Sequence, residues 1–294
     1  MAVSAQLVKQ LRETTGAGIL DCKKALEEAD GDMAKAIEAL QKRNMAVALK
    51  KINRDAKDGQ VAVFLDANAQ LGVLAEVNSE TDFVGRSDGF VKFVAEVCSH
   101  AAKAAPSDVE GMMAQAWAHD SALTVQAALT AMVGRCGENI KVRRFVRFEA
   151  SQGRIGAYVH GEGRIGVLVD VSADKPGLAD TDEFKALVKE MYLQITAMSP
   201  LVVDRTDLPA DMVEKQKEIA AAQLGDISKK PKEIQDKILE GKLGKWYAEV
   251  CLLDQVYIRD DTKKVRDVVA EAGRKLGATL TVRRFARYML GEGL

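Results

Sequence analysis

A forty-residue stretch of this chain occurs twice. Gly59–Cys98 aligns without a gap to Gly153–Tyr192, at a constant offset of 94 residues. Self-similarity of this kind fixes the organisation of a fold before any local pattern is weighed. Leu71-Gly72-Val73-Leu74-Ala75-Glu76-Val77 stands against Ile165-Gly166-Val167-Leu168-Val169-Asp170-Val171. Both runs are rich in β-branched residues and predict strands. A preceding strand also matches, with Val61, Val63, Phe64 and Leu65 against Ile155, Ala157, Tyr158 and Val159. Phe90, Phe93, Val94, Val97 and Cys98 then fall on one helical face, repeated by Phe184, Leu187, Val188, Met191 and Tyr192. Ser87 and Thr181 are the matching N-cap candidates.

Each copy closes on a further strand, Gly137–Arg147 against Gly277–Arg287, now at an offset of 140. The two offsets differ by about 46, so the second copy carries that many extra residues. They lie between roughly Thr206 and Val250. An amphipathic run spans Pro209 to Leu224, a break covers Gly225–Pro231, and Ile234, Ile238, Leu239, Leu243 and Trp246 follow. This predicts a helical hairpin projecting from the second unit. Before the repeats lies a separate helical unit, Met1 to about Arg54. Ser4 can cap a first helix bearing Leu7, Val8 and Leu11, broken by Thr15-Gly16-Ala17-Gly18. A second helix runs from Ile19 to about Ala29. Asp32 can cap a third, with Met33, Ala36, Ile37 and Leu40 on one face. Lys50–Asp55 reads as a linker. The expected class is α+β, divided into residues 1–54, 55–150 and 151–294, with the hairpin at about 207–250.

Composition narrows function by exclusion. Lys+Arg is 42 and Asp+Glu 43, a net charge of −1, which argues against direct nucleic-acid binding. Ser121–Gly134 and Met191–Val203 are the longest charge-free stretches, short of the roughly 18–20 apolar residues a membrane span needs. The start of the chain has no secretory pattern, so the expected location is cytoplasmic. Cys22, Cys98, Cys136 and Cys251 and the three histidines, His100, His119 and His160, form no metal-binding spacing. No metal, cofactor or disulfide is expected.

Individual motifs add little catalytic chemistry. Gly161-Glu-Gly-Arg-Ile-Gly166 matches GxGxxG, but strands flank it on both sides, which makes it a hairpin turn. No GxxxxGK[ST] sequence occurs. Arg143-Arg144 and Arg283-Arg284 sit on strands, where neighbours point to opposite faces, so neither pair is expected to form one patch. Cys136 has no histidine near it in sequence, and a lone His160 at a hairpin end reads as structural or solvent-facing. Thr81-Asp82-Phe83-Val84 is different, because the second copy holds Lys175-Pro176-Gly177-Leu178 in the same slot. The fold therefore does not demand Asp and Phe there. Phe83 either stands at a loop tip, as an interaction anchor beside a carboxylate, or folds back into the local core.

Four segments, in order, resemble the signatures of the bacterial elongation factor Ts family. They are Thr15-Gly-Ala-Gly-Ile-Leu-Asp-Cys-Lys-Lys-Ala-Leu26, Asn78-Ser-Glu-Thr-Asp-Phe-Val84, His160-Gly-Glu-Gly-Arg-Ile-Gly-Val-Leu168 and Lys230-Pro-Lys-Glu-Ile234. The resemblance spans nearly the whole chain. It implies a ubiquitin-associated-like (UBA-like) N-terminal three-helix bundle, a duplicated α+β core and an inserted coiled-coil hairpin. It further implies guanine-nucleotide exchange on the GTPase elongation factor Tu, by a protein that is not itself an enzyme. Carried over by residue, Arg12, Ile19, Leu20 and Lys23 would dock on the GTPase domain. Thr81, Asp82, Phe83 and Val84 would wedge near its magnesium site. Cys136, Gly137, Glu138 and Asn139, with His160, would face its phosphate-binding loop, and Ile258 and Arg259 would form a further contact strand. A homodimer or a 2:2 complex is compatible with the hairpin. The alternative is a protein-binding module or holdase without exchange activity. The chain departs from the family at Ile19 and Leu20, where methionines are common, and at Cys136, Gly85-Arg86 and Arg259. It also ends at Leu294 without the helical extension some members carry.

Overall fold

The computed structural model of the 294-residue chain describes residues 3–222 and 232–294. Three helices open it: α1 (Ala5–Thr15), α2 (Ile19–Glu28) and α3 (Met33–Lys51). The Ser4 hydroxyl accepts from the Leu7 N–H at 3.2 Å, and the Asp32 carboxylate accepts from Ala34 and Lys35 at 2.9 and 3.1 Å. Each cap satisfies donors that the first helical turn leaves unpaired. Leu11, Cys22, Ala25, Leu26, Ala36 and Leu40 form the small core between these helices. The third helix is longer than its first apolar stripe implies and takes in Lys50 and Lys51, the start of the expected linker. No Gly or Pro interrupts Met33–Lys51, and Val47 and Ala48 in its second half pack against the next core.

The duplication is visible in space. The first unit runs β1 (Asp58–Leu65), β2 (Leu71–Ser79), α4 (Asp82–Gly85), α5 (Asp88–Ala104), α6 (Val109–Ala114), β3 (Ala116–Trp117), β4 (Asp120–Thr124), α7 (Val125–Cys136) and β5 (Lys141–Glu149). The second runs β6 (Gly153–His160), β7 (Ile165–Ala173), α8 (Asp182–Met198), α9 (Ala210–Ala222), α10 (Lys232–Val250), β8 (Val256–Tyr257), β9 (Asp260–Lys264), α11 (Val265–Leu276) and β10 (Leu280–Met289). Each unit has one antiparallel three-stranded sheet, ordered β1-β2-β5 and β6-β7-β10, plus a two-stranded ribbon, β3-β4 or β8-β9. One core lies between the first sheet and α5 and α7; another lies between the second sheet and α8 and α11. A third apolar layer, Val61, Leu74, Phe148, Ile155 and Leu168, joins the two sheets. Gly72 and Gly166 hold equivalent places in that layer. A methyl added at Gly72 would lie 2.7 Å from Ile155, and one at Gly166 would lie 2.5 Å from Leu74 and Val61. Glycine at both positions allows the sheets to approach this closely.

Helices α9 and α10 pack against each other, and backbone bonds from Leu201 and Val202 to the Val250 carbonyl tie down the base of α10. Only Ala220 is buried in α9, and no residue is buried in α10. The break at Gly225–Pro231, the end of the first run at Leu224 and the start of the Lys230-Pro231 motif lie outside the described residues. Among the described residues, no helix is long and apolar enough to cross a membrane.

The paired arginines do not behave as strict alternation predicts. A bulge at Arg143 breaks the β2–β5 register, since Glu76 pairs with Arg144 and Val77 with Val142. Two successive side chains therefore turn the same way. Arg143 Nη1 donates to Glu76 Oε1 at 2.9 Å and Arg144 Nε donates to Oε2 at 2.7 Å. The equivalent bulge falls at Arg283, where Arg284 donates to Asp170 at 3.1 Å and Arg283 reaches Ser151.

The duplication also explains a buried histidine. His100 is fully buried in α5; its Nδ1 accepts from the Ala118 N–H at 3.2 Å and its Nε2 lies 2.9 Å from the Gln115 amide oxygen. The first bond assigns the proton to Nε2 and the ring to the neutral form. In the second unit Gln194 makes the same two kinds of bond, to Gln255 at 3.2 Å and from the Ile258 N–H at 2.9 Å. Burial pushes the His100 pKa below its ordinary value of 6.5, outweighing the contrary pull of Gln115. The unfolded chain therefore takes up this proton first as pH falls, and stability drops from about pH 6.5 toward the lowered folded pKa. His100→Gln is expected to keep both bonds and to flatten the decline in Tm between pH 7 and 5. Thermal unfolding across that range checks it; an unchanged pH slope would contradict the assignment.

Candidate functional site

Among the described residues, the most exposed large aromatic side chain stands on a four-residue helix. β2 ends at Ser79, and Thr81 caps the single turn of α4, its hydroxyl accepting from the Val84 N–H at 3.4 Å. Gly85 is buried flat against Gly59, where an added methyl would lie 3.1 Å from the Gly59 backbone. That contact presses one side of α4 onto the start of β1. Val84 packs inward against the first core. Phe83 points away and is 86% exposed. Asp82 lies beside it, with Arg86 at 3.6 Å as its ion-pair partner. A protruding ring with a neighbouring carboxylate has the composition of an interface anchor.

Three other segments are linked to α4, one directly and two through a neighbouring element. The first is the end of α7, where Gly137 takes a left-handed conformation at φ 69° and lets the chain reverse. Cys136 is half-buried there, and burial pushes its thiol pKa up, against nucleophilic use. Glu138 directs both carboxylate oxygens to Thr81, accepting from its N–H at 3.0 Å and its hydroxyl at 2.7 Å. Asn139 is 4% exposed; its N–H donates to Glu80 at 2.6 Å and its amide nitrogen to the Arg54 carbonyl at 2.7 Å. The Asn139 side chain is thus spent on the linker below α3, inside the chain. The Asn139 N–H, followed by Arg54, holds the Glu80 carboxyl below the usual glutamate value against a smaller effect of burial.

The second segment is the β6–β7 hairpin, the GxGxxG turn. Gly161 and Gly163 have positive φ, and the Gly163 carbonyl accepts from the Val61 N–H at 2.7 Å. Exposed His160 meets the Tyr158 hydroxyl at 3.1 Å, and Tyr158 stacks on Tyr192 at 5.3 Å. The start of β1 therefore supports both α4, through Gly59, and the hairpin, through Val61. The third segment is the α1–α2 loop. A methyl on Gly16 would lie 2.9 Å from the Arg135 guanidinium, which brings this loop against the end of α7. Ile19 and Leu20 open α2 at 55% and 81% exposure, and Arg12 and Lys23 are exposed on the same bundle.

Ile258 and Arg259 stand apart from this group. They occupy the turn between β8 and β9, not a strand, because a two-residue reversal is needed there to pair Tyr257 with Asp260. Arg259 donates to Glu190 at 2.6 Å, and the Tyr257 hydroxyl donates to the same oxygen at 2.7 Å. Among the described residues, no group of three or more His, Cys, Asp or Glu side chains is arranged to hold a metal ion. Three buried acids among the described residues were not singled out from the sequence: Glu76, its repeat equivalent Asp170, and Asp254. Asp254 is 1% exposed and is held by Arg205 at 2.6 Å and Arg266 at 2.7 Å. A lone acid in a hydrophobic strand run was the available signal for Glu76.

Comparison with known proteins sets this arrangement in a family context. The family model described as Elongation factor TS matches residues 80–292. A curated relative named Elongation factor Ts from Trichlorobacter lovleyi is 43% identical over 294 residues, covering 100% of this chain and 94% of the relative. Its namesake in Bdellovibrio bacteriovorus is 42% identical over 296 residues, covering 100% of this chain and 94% of that protein. Another from Clostridium novyi is 40% identical over 292 residues, covering 99% of this chain and 94% of the relative.

Proposed function

This chain belongs to the elongation factor Ts family, and from that premise we propose that it is a guanine-nucleotide exchange factor for elongation factor Tu in translation elongation. The observation that carries the mechanism is Phe83, exposed at the tip of a clamped turn that the duplicate unit lacks. The chain performs no bond chemistry of its own. GDP is held in a GTPase by phosphate-loop N–H groups and magnesium. A factor that binds the GDP-free conformation more tightly than the GDP-bound one weakens GDP by the same factor, through linkage. Phe83 supplies apolar burial that opens only when helices of the partner part. Asp82 brings a negative charge to the magnesium site, and loss of that ion removes charge compensation for the phosphates. Arg12, Ile19, Leu20 and Lys23 supply docking energy that both nucleotide states share. Gly137 and His160 approach the phosphate-binding loop from beside the wedge.

The direct test is the linkage itself. The Kd of this chain for nucleotide-free elongation factor Tu is expected to lie at least tenfold below its Kd for the GDP-bound form, a coupling of about 1.4 kcal/mol or more. Equal affinities would leave a binding module without exchange activity.

A further inference from the structure

We propose that Glu138 is a positioning residue for exchange: its carboxylate pins Thr81 and so fixes the turn that carries Asp82 and Phe83, a role that rests on the exchange reading above.

A helix of four residues has no stability of its own, because nucleation consumes more order than one turn of bonds returns. Phe83, at 86% exposure, contributes no packing that could hold α4 in place. The orientation of the ring must therefore come from the anchors of the turn. Gly85 on Gly59 is one. Val84 in the first core and the Ser79 hydroxyl on the Thr81 carbonyl are two more. Glu138 is the long-range one, reaching across 57 residues of sequence with both oxygens engaged, at 3.0 and 2.7 Å. A carboxylate that accepts from both the N–H and the hydroxyl of Thr81 has both oxygens engaged within the chain.

The duplication separates this pin from the general requirements of the fold. In both units an acid at the end of the central strand accepts a backbone N–H from the loop after the last long helix. Glu80 takes Asn139 at 2.6 Å, and Asp174 takes Thr279 at 2.8 Å. That clamp belongs to the fold. The Glu138 position, however, is Ala278 in the second unit, and the Thr81 position is Lys175, which donates to the Gly277 carbonyl. The segment after Lys175 forms no helix before α8 and carries no aromatic residue. The carboxylate pin thus occurs only in the unit whose turn presents an aromatic ring. Held in advance, the ring loses less freedom on insertion, which is the general advantage of preorganisation.

Two measurements on the full chain test this. Amide hydrogen exchange on the free protein is expected to accelerate over residues 81–86 in Glu138→Ala and in Thr81→Val, and to stay unchanged over 174–179. Unaltered protection at 81–86 would overturn the pin whatever the exchange activity. Labelled-GDP release from elongation factor Tu then reads the functional role. Glu138→Ala is expected to lower the saturating rate about tenfold, the scale of losing a charge-assisted pair of bonds. The half-saturating concentration should move less than about twofold, since docking is untouched, and Glu138→Gln should recover most of the rate because its amide still offers Thr81 an acceptor. The double variant Glu138→Ala/Thr81→Val should lose less than the product of the single losses, because both act on one contact. Multiplying losses, or an unchanged saturating rate, would overturn positioning. Thr81→Ser, which keeps both bonds, guards against a misfolded Thr81→Val. If the unaltered chain fails to speed GDP release while the 81–86 protection depends on Glu138, the exchange reading fails and the pin stands.

Discussion

Phe83→Ala is expected to slow catalysed GDP release from elongation factor Tu roughly 30- to 150-fold, while the Tm of the variant stays within about 1–2 °C of the parent. The two halves of this expectation have separate physical causes. At 86% exposure the ring contributes almost nothing to the stability of the free chain, and surface substitutions of this kind fall within about ±0.5 kcal/mol. In the complex the same ring passes from water into an apolar slot. Burying a phenylalanine side chain stabilises by about 1.5–3 kcal/mol, and a central anchor whose truncation costs about 2–3 kcal/mol gives the quoted factor. If the burial is available only when the helices of the partner separate, the loss appears in the exchange rate more than in docking to the GDP-bound form. Stopped-flow release of labelled GDP, with calorimetry of the free variant, measures both halves. An unchanged rate would remove the wedge from the mechanism, and a large fall in Tm would reassign Phe83 to the fold.

Glu76→Ala carries the largest expected effect on stability. The Glu76 side chain is fully buried and accepts from Arg143, Arg144, Asn78 and the Gly291 N–H, at 2.9, 2.7, 3.1 and 2.9 Å. Removing it leaves two partly buried guanidinium groups without their shared counterion, a change that costs about 3–5 kcal/mol. It also releases the Gly291 turn, which this acid ties to the first sheet across 215 residues of sequence. Glu76→Gln keeps the shape but loses the charge, and should cost less. The ionised state has a pH signature. Burial opposes ionisation, yet the Gly291 N–H, Arg143, Asn78 and Arg144 together hold the carboxyl below the ordinary value of 4.5. The folded pKa is the lower one, so this stabilisation is present above about pH 4.5 and is lost as pH falls through the folded value. Urea unfolding at pH 7 and at pH 4 should show a smaller difference between parent and Glu76→Ala at the lower pH.

Much of this architecture was legible because the chain states it twice. The 94- and 140-residue offsets located two sheets, their covering helices and the inserted segment, and the same offsets relate Gly72 to Gly166 and His100 to Gln194 in space. What escaped depended on geometry that periodicity does not encode. Alternation assigns Arg143 and Arg144 to opposite faces; a one-residue bulge overrides it and creates the Glu76 cluster. The stripe at Met33–Leu40 marks the inner face of α3 but not its end, because the second half of that helix is fixed by packing against the neighbouring unit. Ser87 occupies an N-cap position, yet its hydroxyl donates to the Val84 carbonyl, which closes the α4 turn instead of capping α5. Phe83 could not be assigned to surface or core from pattern alone, since both places accept an aromatic after a strand. Its outward direction follows from Gly85 pressing the opposite side of α4 onto Gly59.

As an exchange factor, the chain is expected to lower the barrier to GDP release in elongation factor Tu. The measurement that addresses it most directly is the first-order release of labelled GDP at rising concentrations of the full chain, with excess unlabelled nucleotide present. The rate is expected to climb well above the spontaneous one and to saturate. A rate that stays at the spontaneous value while the two proteins form a complex of measured mass would contradict it.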